Sequence, residues 1–297
     1  MEGLNKETDA PVRLSADIKS FNYPDGTRAI TEIAVEIRGG EFIGILGSNG
    51  SGKSTLLKIM DGLLKDFYGT MLLDGRDIRR LSPKDIYRKM GLVFQNPDDQ
   101  LFASSVREDV AFGPMNMGYA EAEVSRRVER SLLDVEMLDF AGKSIHNLSF
   151  GQKKKVCIAG LLAMGHEILL LDEPTAGLDP MGEYGMMELL TSLNKKGGVT
   201  IVMTTHSVDM VPVFLDRLYI LGRGTIAMSG TPEEVFSAPE DMKNVKLRLP
   251  HIAELIYRLK HEDAVPFDKI PLTVGEARRQ ILKALGNREA AGGVRPL

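Results

Sequence analysis

Residues 47–54 read Gly-Ser-Asn-Gly-Ser-Gly-Lys-Ser: glycine, four residues, then Gly-Lys-Ser. Glycines at 47, 50 and 52 let the backbone curl so that successive N–H groups face one concavity, and such a nest at the start of a helix holds phosphate. Lys53 supplies a point charge to the β- and γ-phosphates of a nucleotide, and the Ser54 hydroxyl is placed to ligate Mg²⁺. The flanks agree. Glu41-Phe-Ile-Gly-Ile-Leu46 is a short apolar run that reads as a buried strand, and Thr55-Leu-Leu-Lys-Ile-Met60 carries apolar residues at helical spacing. A Gly-rich turn with an incidental lysine would lack that strand–loop–helix context. Gly47, Ser48, Asn49, Gly50, Ser51, Gly52, Lys53, Ser54 and Thr55 are therefore the candidate ATP-binding set.

Outward from that loop, strands and helices alternate. Val12, Leu14, Ala16 and Ile18 alternate with more polar neighbours, as do Ile33, Val35 and Ile37, with a turn at Pro24-Asp-Gly26 between them. Further strands are expected at 68–75, ending in a turn, and at 91–95, 168–171 and 199–203, with a hairpin at 219–228. Residues 104–139 read as helical, with Val124, Val128 and Leu132 at four-residue steps. Helices are also expected around 184–193 and from Pro232. This alternation predicts an α/β fold with a mainly parallel core sheet and an antiparallel β portion near the N-terminus. No internal repeat appears, so the chain is read as one nucleotide cassette over residues 12–239, with a helical subdomain at about 96–148. Residues 240–297 form a C-terminal helical extension: amphipathic stretches at 249–260 and 274–285 around 266–271, then a tail from Ala290 expected to be disordered. No chemical motif appears there, and its reading is a packing or dimerisation appendage.

Composition narrows the class. With 297 residues the chain can bury a full α/β core, and 37 Lys and Arg against 41 Asp and Glu argue against a general nucleic-acid binder. The single cysteine, Cys157, lies in an apolar stretch and reads as a buried structural thiol. No uncharged apolar run approaches the roughly 18–20 residues that cross a bilayer. The polar N-terminus is not a signal peptide. A soluble cytoplasmic chain is expected, with any membrane role reached through a partner. His146, His166, His251 and His261 are scattered and read as ordinary surface or core residues, and no His, Cys or carboxylate spacing marks a site for a metal cargo.

A second motif completes the chemistry. Ile168-Leu-Leu-Leu-Asp-Glu-Pro174 is an apolar strand that delivers two carboxylates to the carboxyl end of a sheet, where ligands bind in open α/β folds. Asp172 suits the Mg²⁺ shell, and Glu173 suits orienting or deprotonating a water in line with the γ-phosphate. Leu148-Ser-Phe-Gly-Gln152, Ala176-Gly-Leu-Asp179, Thr205-His206 and Gln95 at a strand end complete an ordered set. In this order and spacing the residues resemble the ABC-transporter ATPase family over residues 12–237, six separated motifs being shared. The resemblance implies that Tyr23 stacks on adenine and that Gln95 contacts Mg²⁺ and the attacking water. It implies that Ser149 and Gly151, with Gln152 in the same signature, reach the γ-phosphate across a dimer interface. Glu173 then matches the catalytic base, Asp179 an interface aspartate and His206 the γ-phosphate switch. Phe150 departs from the pattern, since the family places glycine there. A changed local packing is expected rather than a dead site.

Asn96-Pro-Asp-Asp-Gln-Leu-Phe102, Tyr23-Pro-Asp-Gly26 and His206-Ser-Val-Asp-Met-Val-Pro212 further resemble the ATPases of energy-coupling-factor importers, especially the cobalt/nickel branch, with the vitamin branch as the alternative. That resemblance implies ATP and Mg²⁺ as cofactors and a second ATPase chain as partner. It also implies a transmembrane coupling protein, a membrane substrate-binding component, and a peripheral place on the cytoplasmic face of the cell membrane. Leu101 and Phe102 are either a docking surface or packing residues. An ABC ATPase acting on nucleic acid or ribosomes is the alternative of another class. It is opposed by the net charge of −4, the absence of sustained heptads and the single cassette.

Overall fold

The computed structural model of the chain describes residues 10–237 and 239–290. The strands are β1 (Val12–Asn22), β2 (Arg28–Ile30), β3 (Ile33–Arg38), β4 (Phe42–Gly47), β5 (Tyr68–Leu73), β6 (Arg76–Asp77), β7 (Met90–Val93), β8 (Ile168–Leu171), β9 (Thr200–Thr205), β10 (Arg217–Gly222) and β11 (Thr225–Gly230). The helices are α1 (Lys53–Met60), α2 (Pro83–Tyr87), α3 (Val106–Asn116), α4 (Glu121–Asp134), α5 (Phe150–Met164), α6 (Pro180–Gly197), α7 (Val211–Phe214), α8 (Pro232–Phe236), α9 (Pro239–Asn244), α10 (His251–His261) and α11 (Val274–Ala290).

A six-stranded sheet runs β11-β10-β4-β9-β8-β7, parallel throughout except for the β10–β11 hairpin. Its strands read as continuous apolar runs because both faces are covered. Leu169, Leu171, Ile201 and Met203 point into one core with α5 and α6, whereas Ile168, Leu170 and Val202 point into the other with α1. The second core is closed by a five-stranded antiparallel sheet, β2-β1-β5-β6 with β3 beside β1, whose Leu14, Ala16, Ile18, Ile33, Val35 and Ile37 face inward. Helix α1 is thus sandwiched between two sheets, which pins the loop that precedes it. Each fully buried Leu or Ile contributes on the order of 1.5–3 kcal/mol relative to exposure.

The continuous helical pattern expected over 104–139 is broken. Helix α3 stops before Gly118, whose φ of 82° is left-handed, and α4 restarts after Ala120. Glycine populates that conformation freely, so a turn forms where side-chain periodicity alone extends a helix. Val124, Val128 and Leu132 are buried as their spacing requires, and α3 and α4 pack on α5.

The last two helices contribute to two cores. Leu249, Ala253 and Leu272 join the main core beside α5 and α6. Ile256, Phe267, Ala277 and Ala284 make a small cluster of their own. Residues 291–297, where most of the expected disordered tail falls, lie outside the described residues. Among the described residues no helix is long and apolar enough to cross a membrane.

Candidate functional site

Strand β4 ends at Gly47, the loop turns through Gly50 (φ 77°) and Gly52 (φ 104°), and α1 begins at Lys53. A Cβ on Gly47 would lie 2.4 Å from Ser51 Oγ and 2.6 Å from the Leu221 carbonyl, so only glycine fits there. The loop is braced from behind. The Gly224 N–H in the β10–β11 turn donates to the Ser51 carbonyl at 3.1 Å, while the Gly224 carbonyl accepts from Thr31 N–H at 2.8 Å. Lys53 is almost wholly buried and folds back, donating from Nζ to the Gly47 carbonyl at 2.8 Å and the Ser48 carbonyl at 3.3 Å.

Glu173 is the meeting point. Its carboxylate accepts from Gln95 Nε2 at 3.0 Å, lies 3.6 Å from Lys53 Nζ, and lies 3.4 Å from His206 Nδ1. Three separate parts of the chain, the start of α1, the segment after β7 and the segment after β9, therefore converge on one carboxylate at the end of β8. Adjacent parallel strands β4, β9, β8 and β7 make this possible by presenting their carboxyl ends side by side.

The backbone of Glu173 has φ 47°, a left-handed conformation that costs a non-glycine residue about 1–2 kcal/mol. Two groups hold it there. Thr204 Oγ1 accepts from the Glu173 N–H at 2.9 Å and donates to Asp172 Oδ1 at 2.6 Å. Lys154 Nζ donates to the carbonyls of Glu173 and Ala176 at 2.8 and 2.9 Å. Burial pushes the Lys154 ammonium down to about 8, against the attraction of Glu173, Cys157 and Asp172. Neither Thr204 nor Lys154 was among the residues singled out from the sequence. A signal existed for Lys154: it stands four residues before Ile158 on the buried face of α5, whereas Lys153 and Lys155 reach outward to Asp98 and Glu136.

A cavity of about 510 Å³ is bordered by Gly47, Ser48, Asn49, Gln95, Glu173 and His206. Lys246, Leu247 and Arg248 also line it, from the extension that the sequence reads as a packing or dimerisation appendage. Tyr23 lies beside the first turn of α1. Its hydroxyl is 3.0 Å from Thr55 Oγ1 and its ring meets Phe21 edge-on at 5.0 Å.

Ser149, Gly151 and Gln152 are elsewhere. They border a different cavity, of about 230 Å³, with Leu178 and Gly182. Ser149 caps α5: its hydroxyl accepts from Gln152 N–H at 3.3 Å while its own N–H donates to Gln152 Oε1 at 2.9 Å. Asp179 caps α6 by accepting from Gly182 N–H at 2.7 Å. Phe150 takes up space next to both. Its ring lies 5.1 Å from Lys154 Nζ and 3.0 Å from where a Cβ on Gly177 would stand. Cys157 is buried, and burial pushes its thiol up to about 12, an inert packing residue.

The loop fits a triphosphate on its own evidence: a glycine-only curl, a buried lysine at its end and a buried Ser51 hydroxyl with no hydrogen-bond partner among the described residues. Ser54 and Asp172 supply hard oxygen donors of the kind Mg²⁺ takes.

Residues 30–176 match the family described as ABC transporter. A protein of Geobacter sulfurreducens named as an ABC transporter ATP-binding protein is 69% identical over 92% of this chain and 98% of its own length. The chain belongs to the ABC transporter ATPase family. As an ABC ATPase it couples ATP hydrolysis to transport. An energy-coupling factor transporter ATP-binding protein, EcfA, of Methanocaldococcus jannaschii is 48% identical over 89% of this ABC ATPase and 95% of the relative. The solved structure of cbiO1 from Clostridium perfringens, described as part of the ABC transporter complex cbiONQ, shares the fold with a TM-score of 0.72. It is 42% identical and covers 83% of this chain and 99% of its own.

Proposed function

We propose that the chain is the ATP-hydrolysing subunit of an energy-coupling-factor importer whose cargo is cobalt or nickel. The observation that carries the ATPase part is the separation of two half-sites. Gln95, Glu173 and His206 border one cavity, with Lys53 3.6 Å from Glu173, while Ser149, Gly151 and Gln152 border another. One chain alone therefore offers two incomplete sites. A head-to-tail pair with two-fold symmetry, formed with an identical or related ATPase chain, would complete both. Asp179, beside the signature cavity, would face the partner.

In that assembly Lys53 exchanges the carbonyls of Gly47 and Ser48 for the β- and γ-phosphates of ATP. Glu173 accepts the proton of the attacking water, while Gln95 and His206 hold that water and the γ-phosphate in line. Mg²⁺ bound with the nucleotide neutralises phosphate charge, and Ser54, Gln95 and Asp172 would hold it. Thr204 fixes the Asp172 carboxylate for that task. Tyr23, tethered to Thr55, would stack on adenine. The γ-phosphate is gripped from both chains, so its loss removes the differential binding that keeps the pair closed.

The motion has an outlet next to Gln95. Phe102 is 65% exposed and packs edge-on against the half-exposed Phe112 at 4.7 Å, whereas Leu101 packs on the core. The transmembrane coupling protein would dock on that aromatic pair, placing the ATPase peripherally on the cytoplasmic face of the membrane. A separate membrane component would select the cargo. Nucleic acid has no part in this reading. The EcfA name of one relative and the cbiONQ assembly named for another support the importer, and the second supports the metal.

The test is uptake by the reconstituted membrane complex, beside calorimetry of the purified chain with cobalt or nickel. ATP-driven metal uptake with no tight metal binding by this chain is the expected result. Vitamin uptake without metal uptake would move the protein to the vitamin branch. Phe102→Ser should lower uptake by about tenfold while the isolated ATPase keeps its nucleotide affinity, since an exposed aromatic anchor contributes mainly to association.

A further inference from the structure

The segment after His206 is tied to the C-terminal extension by a fork of contacts. Arg248 Nη1 donates to Asp209 Oδ1 at 3.2 Å, and Arg248 Nη2 donates to Oδ2 of the same carboxylate. The backbone N–H of His251 donates to Asp209 Oδ1 at 2.8 Å, and His251 Nδ1 lies 3.1 Å from both carboxylate oxygens. Arg248 Nη1 also donates to the Leu249 carbonyl at 2.9 Å, which fixes the guanidinium plane. The two partners are 39 and 42 residues apart, so the contact is tertiary and not a by-product of helix geometry.

An isolated exposed ion pair contributes little. This one is bidentate and shares its acceptor with a helix-start N–H, the arrangement in which charge-assisted bonds are strongest. The ends on either side are also anchored. Val208 and Val211 beside Asp209, and Leu249 and Ala253 beside Arg248 and His251, are all buried in the same core cluster. Between these anchors, Lys246, Leu247 and Arg248 line the same cavity as Glu173 and His206. The extension therefore touches the loop of the γ-phosphate switch on one side and the cavity on the other.

We propose that Asp209, Arg248 and His251 form a positioning latch through which the C-terminal extension holds the His206 loop in its productive place beside Glu173. The proposal rests on the reading of His206 as a group that acts on the γ-phosphate. It gives the extension a task in the reaction: the loop that must find the phosphate is held from outside the cassette. Asp209 and Arg248 act through His206 and are positioning residues.

Two measurements on the full chain test it. Hydrogen exchange of the wild type and Arg248→Ala, without nucleotide, reads the latch itself. The amides of residues 206–212 should exchange at least about threefold faster in the variant, because local opening follows the loss of the contacts that close it. Unchanged exchange there overturns the latch whatever the ATPase does. Steady-state hydrolysis reads its consequence. Arg248→Ala and Asp209→Asn should lower kcat by about 3- to 10-fold with the ATP Kd within twofold, since misplacing a reacting group costs turnover more than binding. Arg248→Lys should keep more turnover than Arg248→Ala. Lys283→Ala, which removes the Lys283–Asp268 pair elsewhere in the extension, is the control for general loosening and should leave kcat unchanged. Equal losses in Lys283→Ala and Arg248→Ala, or a loss of affinity in place of turnover, would overturn the positioning role. Faster exchange in Arg248→Ala with kcat unaltered would separate the two ideas, sinking the positioning role and with it the reading of His206 as the group positioned.

Discussion

The two proposed halves of the nucleotide site are built on opposite terms. At the centre of the first, a charged pair is buried, Lys53 at 6% and Glu173 at 9% exposure, with the exposed Gln95 and His206 reaching in over it. Around Ser149 the groups are exposed and satisfied locally, by a capping box that closes on Gln152. The first half is assembled by the parallel sheet and waits for a ligand. The second is a helix start whose cap is complete within the chain, and the proposed pairing would offer it another molecule's phosphate. The difference teaches where desolvation is spent: on the Lys53–Glu173 pair at the centre, while Gln95, His206 and the signature serine all stay accessible from outside.

Breaking the buried half should have the largest effect. Glu173→Gln should lower hydrolysis by about 10²- to 10⁴-fold, the usual contribution of a general base, with ATP binding retained. Phosphate release and size-exclusion chromatography with ATP check it, and ATP-bound pairs should accumulate. Wild-type turnover in this variant would remove Glu173 from the role of base. Lys53→Ala should instead weaken ATP binding by about tenfold or more, as expected for a lost charge-assisted contact. Equilibrium titration with a fluorescent nucleotide reads it, and unchanged affinity would end the phosphate reading of that lysine.

Breaking the exposed half is expected to be subtler. Ser149→Ala should impair ATP-dependent pairing with nucleotide affinity of the monomer unchanged. Phe150→Gly sharpens the contrast. The phenyl ring covers the Lys154 ammonium and abuts Gly177 but borders neither cavity, so hydrolysis should stay within about threefold while the melting temperature falls by a few degrees. A loss of hydrolysis matching that of Ser149→Ala would show that the ring takes part in closing over the nucleotide.

Much of this was legible from residues alone, and for physical reasons. The glycine spacing of 47–54 and the apolar strand ending in Asp172-Glu173 are local patterns, and local patterns survive in a linear reading. So do the both-sides-buried strands β4, β8 and β9. What escaped is contact between distant segments. That Lys154, and not Lys153 or Lys155, turns inward depends on the rotation of α5 against β8. That Thr204 serves both Asp172 and Glu173 depends on the register of β8 against β9. The Asp209 fork joins parts of the chain about which composition is silent. The break at Gly118 was missed because apolar periodicity does not register backbone φ.

The smallest expected effect lies far from either half-site. His166 is buried with Nε2 2.6 Å from the Tyr87 carbonyl, and its ring fills the space a side chain on Gly91 would need. Burial pushes its pKa down to about 4, against the hydrogen bond to Tyr87, from the ordinary value of 6.5. The unfolded chain therefore binds a proton between these values that the folded chain refuses. The stability linked to the neutral ring is complete above pH 6.5 and is lost as the pH falls through 4, to a total on the order of 3 kcal/mol. Urea unfolding of wild type and His166→Gln between pH 7 and 4 should show the difference between the two curves narrowing as the pH falls. A constant difference would mean that the ring is not held neutral.

The turn at Gly224 carries a consequence for how the molecule tolerates change. It joins the phosphate loop to the antiparallel sheet through main-chain atoms alone, with Ser51 on one side and Thr31 on the other. A Cβ there would stand 2.9 Å from the Ala29 carbonyl and 3.0 Å from Thr31 N, with no flexible side-chain end to yield. Side chains nearby can drift over generations without loosening this joint, because none of them makes it. A single inserted residue in the hairpin would undo it, so a tag or reporter spliced between β10 and β11 should silence the enzyme, while one spliced at the Gly118 turn, where no atom crowds the glycine, has room to be carried.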